Sequence, residues 1–193
     1  MGSQNCIRDP IDTLTEAIKG GITAFQFREK GRNALRGDAK ITLGKKLRTI
    51  CKENNIPFFI NDDVELIHVL EADGIHVGQE DTAVTDIRKE FPNLLIGLSI
   101  SNETELKKSP VQVVDYVGAG PIFVTNTKED AKYAVSPSWI YSLRERYPNL
   151  PIVGIGGITI ENANQVLHAG ANGVAVISEI TMSNNIQQTV RLL

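Results

Sequence analysis

Seven short β-rich runs alternate with helical segments along the 193 residues of this chain, and no linker separates them. The runs are TAFQFRE (23–29), PFFIND (57–62), DGIHVG (73–78), LLIGLSI (94–100), VDYVGAG (114–120), PIVGIGG (151–157) and NGVAVIS (172–178). Most are dense in Val, Ile and Phe, which is typical of strands buried on both faces of a parallel sheet. The alternation predicts an α/β fold, either a doubly wound sheet or a (β/α)8 barrel.

Helical segments with recognisable ends separate these runs. The segment 9–21 has Pro10 near its start and glycine at its end, and the segment 37–55 has apolar residues at helical spacing. A third segment, 159–171, begins with Thr159, which we predict to be its N-cap residue. The phrases EADGIHV and HAGANGVAV both close a helix and open a strand, so they weakly indicate a repeated βα unit.

The number of strands bears on whether a barrel can close. A (β/α)8 barrel needs eight strands, and the chain has seven recognisable ones. Either the first strand lies within or before MGSQNC and is mostly missing, or the sheet is not a closed barrel. We predict one (β/α)8-barrel domain over residues 1–193, incomplete at the N-terminus, with the first strand and the last helix shortened.

Charge and cysteine content exclude several classes of protein. The 20 basic and 23 acidic residues give a net charge of -3, which argues against nucleic acid or a membrane surface as a partner. Cys6 and Cys51 lie in no CxxC motif or Cys/His cluster, and we expect unpaired thiols in a reducing cytoplasm. No run reaches the roughly 18 apolar residues of a membrane span, and the N-terminus has no apolar signal-peptide core. We therefore predict a cytoplasmic protein.

Polar groups follow the β-rich runs, and in both candidate folds ligands bind at the carboxyl ends of the strands. In order, these groups are Arg28 with Lys30, NDD (61–63), GQED (78–81), Ser99, TNTK (125–128), GIGGIT (154–159) and Ser178. Four of them also have a purely structural explanation. NDD would cap a helix near Val64, GQED would be a polar turn, and GIGGIT would be a tight glycine turn. Arg28 and Lys30 would be solvated charges at the end of a strand.

The first run alternates in character. Phe25 and Phe27 occupy one face, while Gln26, Arg28 and Lys30 occupy the other. In a barrel, alternate residues point towards the axis and towards the helices. We therefore expect the phenylalanines to pack beneath the helices and the polar side chains to face the mouth of the barrel.

These groups complement one another chemically. Aspartates from neighbouring strands offer hard oxygen ligands for Mg²⁺, and Arg28 and Lys30 would neutralise the remaining charge of a diphosphate. The glycine turn and Ser178 would form a second anion site. Two anion sites and one metal indicate a reaction between two phosphorylated small molecules. The three histidines His68, His76 and His168 are scattered without zinc-ligand spacing, and we predict that they are structural or on the surface.

Seven motifs of the chain resemble, in order, those of the thiamine-phosphate synthase (thiamine-phosphate pyrophosphorylase) family: QFREKG, NDD, ADGIHVGQED, GLS, VGAGPIFVTNTK, PIVGIGGIT and ANGVAVIS. The resemblance runs from about Met1 to Ser178 and implies a TIM barrel, a transferase of thiamine biosynthesis, and Mg²⁺ as cofactor. Such enzymes transfer the 4-amino-2-methylpyrimidin-5-ylmethyl group from its diphosphate to 4-methyl-5-(2-phosphoethyl)thiazole. Pyrophosphate leaves first, and the thiazole nitrogen captures the resulting carbocation to form thiamine phosphate.

The resemblance also implies roles for individual residues. The residues implied to bind the pyrimidine diphosphate are Gln26, Arg28, Lys30, Asn61, Ser99 and Lys128. Among them, the implied catalytic residues are Arg28, Lys30, Ser99 and Lys128. Asp62 and Asp81 are the implied Mg²⁺ ligands. The residues implied to hold the thiazole phosphate are Thr125, Asn126, Thr127, Gly157, Ile177 and Ser178.

Two alternatives stay open on the sequence alone. A thiazole tautomerase would share the fold, but that sister group lacks NDD and carries a histidine in the segment matching GPIF, where this chain has Pro121. A non-catalytic phosphate-binding protein, or an inactive fragment, would keep the site residues without turnover. The sequence also leaves open whether the chain forms a homo-oligomer and whether the thiazole carries a carboxylate.

Overall fold

A computed structural model describes residues 1–125, 127 and 133–193 of the chain. The strands are β1 (Phe25–Phe27), β2 (Phe58–Asn61), β3 (Gly74–Val77), β4 (Leu95–Ile100), β5 (Tyr116–Ala119), β6 (Ile152–Ile155) and β7 (Gly173–Ala175). The helices are α1 (Pro10–Gly20), α2 (Gly37–Glu53), α3 (Leu66–Val69), α4 (Val84–Glu90), α5 (Glu103–Lys108), α6 (Ser138–Arg146), α7 (Ala163–His168), α8 (Ser178–Thr181) and α9 (Ile186–Leu192). All seven predicted strands are confirmed, each within its β-rich run.

The strands follow one another in the sheet in the order of the chain. β1 pairs in parallel with β2, and β4, β5, β6 and β7 pair in parallel one after another. The chain divides into two compact units, residues 1–75 with 177–192 and residues 76–176 with 193. A single domain over residues 1–193 stays a prediction. Within the described part of the chain, no helix is long and apolar enough to cross a membrane.

Aromatic side chains form the core of the first unit. Phe25 and Phe27 are buried, and their ring centroids lie 5.7 and 6.2 Å from that of Phe58 in β2. Helix α2 packs closely over this core at Gly44, where an added Cβ would lie 2.7 Å from Leu70 Cδ1 and 3.1 Å from Phe27 Cε1. The prediction that these phenylalanines pack beneath a helix is confirmed for Phe27, and Phe25 is buried beside Phe58.

The first residues lie beside β1. Residues 3–5 form a short 3-10 helix rather than a strand. The Met1 amino group donates to the Gln26 carbonyl at 2.5 Å, and the Met1 carbonyl accepts from the Arg28 N–H at 2.9 Å. This pair of bonds is the pattern that a parallel neighbour of β1 would make. Met1 thus lies where the predicted first strand would pair.

Two helix starts test the capping predictions. Helix α1 begins as expected, because the Asp9 side chain accepts from the Ile11 N–H and Pro10 is the first helical residue. The prediction that Thr159 caps the later helix is wrong. Helix α7 begins at Ala163, and the Asn162 side chain instead accepts from the Thr159 N–H at 2.9 Å. An extra turn, closed by asparagine, therefore precedes that helix.

One set of hydrogen bonds recurs at the amino ends of alternate strands. In the first copy, the Arg48 guanidinium of α2 donates to both carboxylate oxygens of Asp73, at 2.8 and 3.0 Å. The Asp73 carboxylate accepts from the Phe58 N–H at 2.8 Å, and the Asp73 N–H donates to the Phe58 carbonyl at 2.9 Å. A helix arginine thereby ties the start of β2 to the residue before β3. We call this set an amino-end clamp.

The second amino-end clamp lies between α4, β4 and β5. Arg88 donates to the Asp115 carboxylate at 2.6 Å, and that carboxylate accepts from the Ile96 N–H at 2.7 Å. The Asp115 N–H donates to the Ile96 carbonyl at 2.8 Å. Arg88 also donates to the Pro92 and Leu94 carbonyls, so it fixes the loop that leads into β4.

The third amino-end clamp uses an amide in place of the carboxylate. Arg144 of α6 donates to Asn172 Oδ1 at 2.5 Å, and the same oxygen accepts from the Ile152 N–H at 2.9 Å. The Asn172 N–H donates to the Ile152 carbonyl at 2.7 Å. Asp73 and Asn172 lie at matching places in EADGIHV and HAGANGVAV. The weak repeat in the sequence therefore corresponds to a repeated structural unit.

Candidate functional site

In the first unit, β1 and β2 present the predicted diphosphate-binding residues at their carboxyl ends. Arg28 is buried, with 6% of its surface exposed, and Gln26 is half-buried. Lys30 Nζ donates to Asp62 Oδ2 at 2.6 Å, and their side chains are 46% and 17% exposed. Because β1 and β2 pair in parallel, the structure brings the predicted diphosphate cation and the predicted metal ligand into direct contact.

The backbone is unusual at Asp62. Asp62 has a φ of 62°, and the Asp63 N–H donates to the Asn61 carbonyl at 2.8 Å. This bond closes a three-residue γ-turn, a conformation that is costly for a residue with a side chain. Strain of this kind concentrates at binding and catalytic sites, where surrounding contacts hold it in place. The turn directs two adjacent carboxylates to different lysines, since Asp63 pairs with Lys40 of α2.

The alternative role of NDD as a helix cap is not what the structure has. Helix α3 begins at Leu66, and the residue before it, Glu65, makes no side-chain cap bond. The Asp62 and Asp63 carboxylates accept hydrogen bonds from lysines instead.

Glu29 has a structural role that the sequence analysis does not identify. Its side chain is buried, and its carboxylate accepts from the Ser3 N–H at 2.7 Å, the Ser3 hydroxyl at 2.5 Å and the Leu35 N–H at 2.8 Å. The Gln4 amide donates to the carbonyls of Arg28 and Lys30. These bonds anchor the N-terminal segment and the loop after β1, so they fix the backbone that carries Arg28.

In the second unit, Asp81 closes a turn. Its Oδ2 accepts from the Gly78 N–H at 2.7 Å. The Gln79 side chain donates to the Ser99 carbonyl at 2.8 Å and to the Ser109 hydroxyl at 3.1 Å. The polar-turn interpretation of GQED is therefore correct for these two side chains. The bond from the Gly78 N–H holds the carboxylate of Asp81, the second predicted Mg²⁺ ligand, against this turn.

Ser99 and Tyr116, both half-buried, are hydrogen-bonded to the buried side chain of His76. His76 Nε2 lies 2.8 Å from Ser99 Oγ, and His76 Nδ1 lies 3.0 Å from the Tyr116 hydroxyl. Burial raises the pKa of Tyr116, so its hydroxyl keeps its proton. His76 is 6% exposed and its ring centroid lies 5.4 Å from that of Tyr116.

His76 is predicted only to be structural or on the surface, and Tyr116 is not among the predicted site residues. Glycine stands at two strand positions that would otherwise clash with their rings. A Cβ at Gly118 would lie 2.8 Å from His76 Cε1, and a Cβ at Gly97 would lie 2.1 Å from Tyr116 Cζ. Register pairs Gly97 with Tyr116 and Ser99 with Gly118. His68 and His168 are exposed, as predicted.

The glycine turn after β6 lies against the segment that leads to TNTK. Gly157 has a φ of 65°, and a Cβ there would lie 2.6 Å from the Val124 carbonyl oxygen and 2.7 Å from that of Phe123. Only glycine fits at this distance. The structure therefore brings Gly157 beside the residues that immediately precede Thr125. The Thr127 N–H donates to Thr125 Oγ1 at 3.3 Å.

The remaining predicted residues fall elsewhere or outside the description. Ile177 precedes α8 and Ser178 is its first residue, and both belong to the first unit. Asn126 and Lys128 lie outside the described residues. Over the part of the chain that is described, no group of three or more His, Cys, Asp or Glu residues could hold a metal ion by itself. Two aspartates still fit Mg²⁺ chemically, because substrate phosphates and water usually complete its oxygen ligands.

Comparisons with known proteins agree along the whole chain. A family model described as thiamine monophosphate synthase matches residues 1–180. Thiamine-phosphate synthase from Oceanobacillus iheyensis is 58% identical over 193 residues, covering 100% of this chain and 94% of the relative. A thiamine-phosphate synthase from Bacillus cereus strain B4264 is 47% identical, covering 100% of this chain and 88% of the relative.

A solved structure supports the same assignment. Thiamine phosphate pyrophosphorylase from Pyrococcus furiosus superposes with a TM-score of 0.86 at 29% identity, covering 99% of this chain and 90% of that one. This likeness confirms the predicted α/β fold of the TIM-barrel class. Sequence, fold and family match agree: the chain belongs to the thiamine monophosphate synthase family.

Proposed function

We propose that this chain is a thiamine-phosphate synthase that joins two phosphorylated substrates and releases pyrophosphate. It transfers the 4-amino-2-methylpyrimidin-5-ylmethyl group from its diphosphate to the nitrogen of 4-methyl-5-(2-phosphoethyl)thiazole. One observation carries the proposal most directly. Buried Arg28 and the contact between Lys30 and Asp62, at 2.6 Å, lie at the carboxyl ends of paired strands. That arrangement suits a substrate that carries both a diphosphate and a metal ion.

The proposed diphosphate-binding residues are Gln26, Arg28, Lys30, Asn61, Ser99 and Lys128. Their common task is to neutralise the charge that grows on the diphosphate as its bond to the pyrimidine methylene carbon breaks. Arg28 suits this task because its guanidinium keeps its charge when buried and forks towards phosphate oxygens. The thiazole nitrogen attacks with its own lone pair, so a general base is not needed for bond formation. Catalysis then rests on alignment and on preorganised charge.

Asp62 and Asp81 are the proposed Mg²⁺ ligands. When bound, Mg²⁺ would offset the negative charge of the leaving diphosphate. Lys30 donates to Asp62 at 2.6 Å. A lysine ammonium has three hydrogens and a carboxylate has two oxygens, so this pair can contact the diphosphate and the metal at the same time. The compact charge on a flexible stem also lets Lys30 adjust its position to the substrate.

The thiazole phosphate is proposed to be held by Thr125, Asn126, Thr127, Gly157, Ile177 and Ser178. Hydroxyl groups and the N–H groups of a glycine turn are suitable donors to phosphate oxygens. The close packing of Gly157 against the Val124 carbonyl supports a shared role for the glycine turn and Thr125.

A direct assay tests the proposal. The purified chain is mixed with both substrates and Mg²⁺, and pyrophosphate and thiamine phosphate are measured, with each substrate omitted in turn. We expect both products in equal amounts, their loss on addition of EDTA, and their return with excess Mg²⁺. Folded protein that forms neither product would contradict the proposal. Conversion of a thiazole isomer without pyrophosphate would instead indicate a tautomerase.

A further inference from the structure

We propose that His76 is a positioning residue that fixes the direction of the Ser99 hydroxyl, so that its hydrogen points towards the diphosphate. This inference rests on the proposed function of Ser99 as a donor to that diphosphate. The distances that carry it are 2.8 Å between His76 Nε2 and Ser99 Oγ and 3.0 Å between His76 Nδ1 and the Tyr116 hydroxyl.

Three adjacent strands of the sheet hold these three hydrogen-bonded side chains. His76 comes from β3, Ser99 from β4 and Tyr116 from β5, all in the second unit. Gly97 and Gly118 stand opposite the two rings, at positions where a Cβ would lie within 2.1 Å of Tyr116 and 2.8 Å of His76. Glycine weakens a strand interior, so two glycines at these positions indicate that space for the rings has a use.

The direction of the hydrogen bonds follows from what the substrate can accept. Diphosphate oxygens are acceptors only, so Ser99 must donate its hydrogen to bind one. Ser99 Oγ must then accept from His76, which requires a hydrogen on Nε2. A neutral imidazole with that hydrogen has a bare Nδ1, which accepts from the Tyr116 hydroxyl. Burial raises the pKa of Tyr116 and so keeps this donor available.

The opposite arrangement has a clear cost. If Nδ1 carried the hydrogen, Nε2 would accept from Ser99, and Ser99 would turn only lone pairs towards the diphosphate. The hydroxyl would then repel the developing charge rather than stabilise it. Tyr116 thus sets the tautomer of His76, and His76 sets the orientation of Ser99.

Nitrogen-15 NMR of histidine-labelled protein tests the tautomer directly. The chain has three histidines, and the His76 signals are assigned by their loss in His76→Gln. We expect a protonated Nε2 and an unprotonated Nδ1 in the wild type, and loss of that preference in Tyr116→Phe. A wild-type His76 with its hydrogen on Nδ1 would overturn the inference. This measurement needs no turnover, so its outcome is independent of whether the proposed reaction occurs.

A double-mutant cycle tests the action through Ser99. We expect Ser99→Ala to lower kcat/KM by about 10²-fold, the size typical of losing one donor to a developing charge. His76→Phe removes the donor to Ser99 and should lower kcat/KM by up to the same factor. His76→Gln, whose amide can still donate to Ser99, should recover most of that loss. In the Ser99→Ala background, His76→Phe should have no further effect.

Two outcomes of the cycle would contradict the inference. An equal loss from His76→Phe with and without Ser99 would show that the histidine does not act through that serine. A Gln variant as impaired as the Phe variant would show that the donated hydrogen is irrelevant. If His76→Phe fails to fold by circular dichroism, the same cycle is run with Tyr116→Phe, which keeps the ring. If the wild type itself forms no product, affinity for inorganic pyrophosphate by calorimetry replaces kcat/KM.

Discussion

At the amino ends of β2, β4 and β6 the chain repeats one set of hydrogen bonds, whereas the carboxyl ends of its strands carry different groups. Each amino-end clamp joins a helix arginine, an Asp or Asn side chain and the backbone at a strand start. The carboxyl ends instead present Arg28 after β1, a strained Asp62 after β2 and Ser99 in β4.

This difference indicates that the amino ends of the strands stabilise the fold, whereas the carboxyl ends carry the groups proposed for the reaction. Groups of an amino-end clamp satisfy one another, with bonds between 2.5 and 3.0 Å that tie helices to strands. The carboxyl-end groups include a carboxylate in a costly backbone conformation and the partly exposed lysine that donates to it. In α/β barrels, residues at the amino ends of strands generally serve stability and those at the carboxyl ends serve function. Variants at the two ends should therefore fail in different ways.

The largest effect is expected at Asp62. We predict that Asp62→Gly lowers kcat about 10²-fold or more, because it removes the carboxylate that we propose to bind Mg²⁺ beside the diphosphate. Its unfolding free energy should stay within about 1 kcal/mol of the wild type, since glycine accepts a positive φ without strain. The measurements are pyrophosphate release against Mg²⁺ concentration, and urea unfolding.

The neighbouring carboxylate provides the matched control. Asp63 pairs with Lys40, its side chain is 47% exposed, and it has no proposed role in the reaction. Asp63→Ala should therefore keep wild-type turnover and Mg²⁺ dependence. Equal losses in both variants would assign the effect to general charge near β2 rather than to metal binding.

The contrast between the two ends also explains what could be read from the sequence. All seven strands were predictable, because a buried strand is signalled by its own apolar residues. The polar residues at the strand ends were predictable as a set of candidates, because ligands bind at the carboxyl ends of parallel strands in such folds. That they form one site stays a prediction. The chain Tyr116–His76–Ser99 was not predictable, because its contacts depend on the register of three strands far apart in sequence. The γ-turn at Asp62 was hidden for a similar reason, since packing holds it against local preference.

The amino-end clamps were only partly visible. Asp73 and Asn172 stand in similar phrases, each followed by glycine, so the sequence indicates their kinship. Asp115 is followed by Tyr116 rather than by glycine. Only its hydrogen bonds to Arg88 and Ile96 show that it belongs to an amino-end clamp. The capping prediction at Thr159 is wrong although threonine before a helical pattern is a good cap by propensity. The Asn162 side chain instead accepts from the Thr159 N–H and donates to the Gly157 carbonyl.

The next effect concerns the first amino-end clamp. We predict that Asp73→Ala lowers the unfolding free energy by about 2 kcal/mol, since it leaves the Phe58 N–H and the Arg48 guanidinium without their acceptor. The value is modest because the Asp73 side chain is 39% exposed. The folded variant should keep its kcat/KM. Urea unfolding and the pyrophosphate assay check the two expectations.

An exposed ion pair nearby serves as the control for that variant. Lys52 and Glu71 lie 3.4 Å apart with side chains 68% and 72% exposed. Glu71→Ala should change the unfolding free energy by less than about 0.5 kcal/mol. If Asp73→Ala were equally mild, the clamp would be no more than a surface contact. If it abolished turnover in folded protein, the separation between the two ends would break down.

A smaller effect is expected from pH, through Cys51 on the helix that carries Arg48. Burial raises the pKa of the Cys51 thiol to about 12, with the charge of Arg48 opposing the shift. The unfolded thiol ionises near pH 8.5, so above that pH the unfolded chain loses a proton that the folded chain keeps. Stability therefore falls as pH rises. Between about pH 7.5 and 9.5, the wild type should lose about 1.4 kcal/mol more than Cys51→Ala.

Urea unfolding of both proteins at the two pH values measures this difference. Cys6 is present in both proteins, so its own titration cancels in the comparison. Identical pH dependence would show that the Cys51 thiol reaches water in the folded chain. Solvent would then reach the part of α2 that carries Arg48 and Cys51.

The smallest effect concerns the one amino-end clamp that lacks a carboxylate. Asn172→Asp would give the third clamp the Arg–Asp pair of the other two while keeping an oxygen for the Ile152 N–H. Because Asn172 is exposed, we predict a gain of only about 0.5 kcal/mol or less in unfolding free energy. The gain should shrink in about 0.5 M salt, where exposed charges are screened. A salt-sensitive gain would mean that aspartate and asparagine are interchangeable in the amino-end clamps. A loss would mean that Arg144, which also donates to the Pro148 and Leu150 carbonyls, is already satisfied and gains nothing from a charged partner.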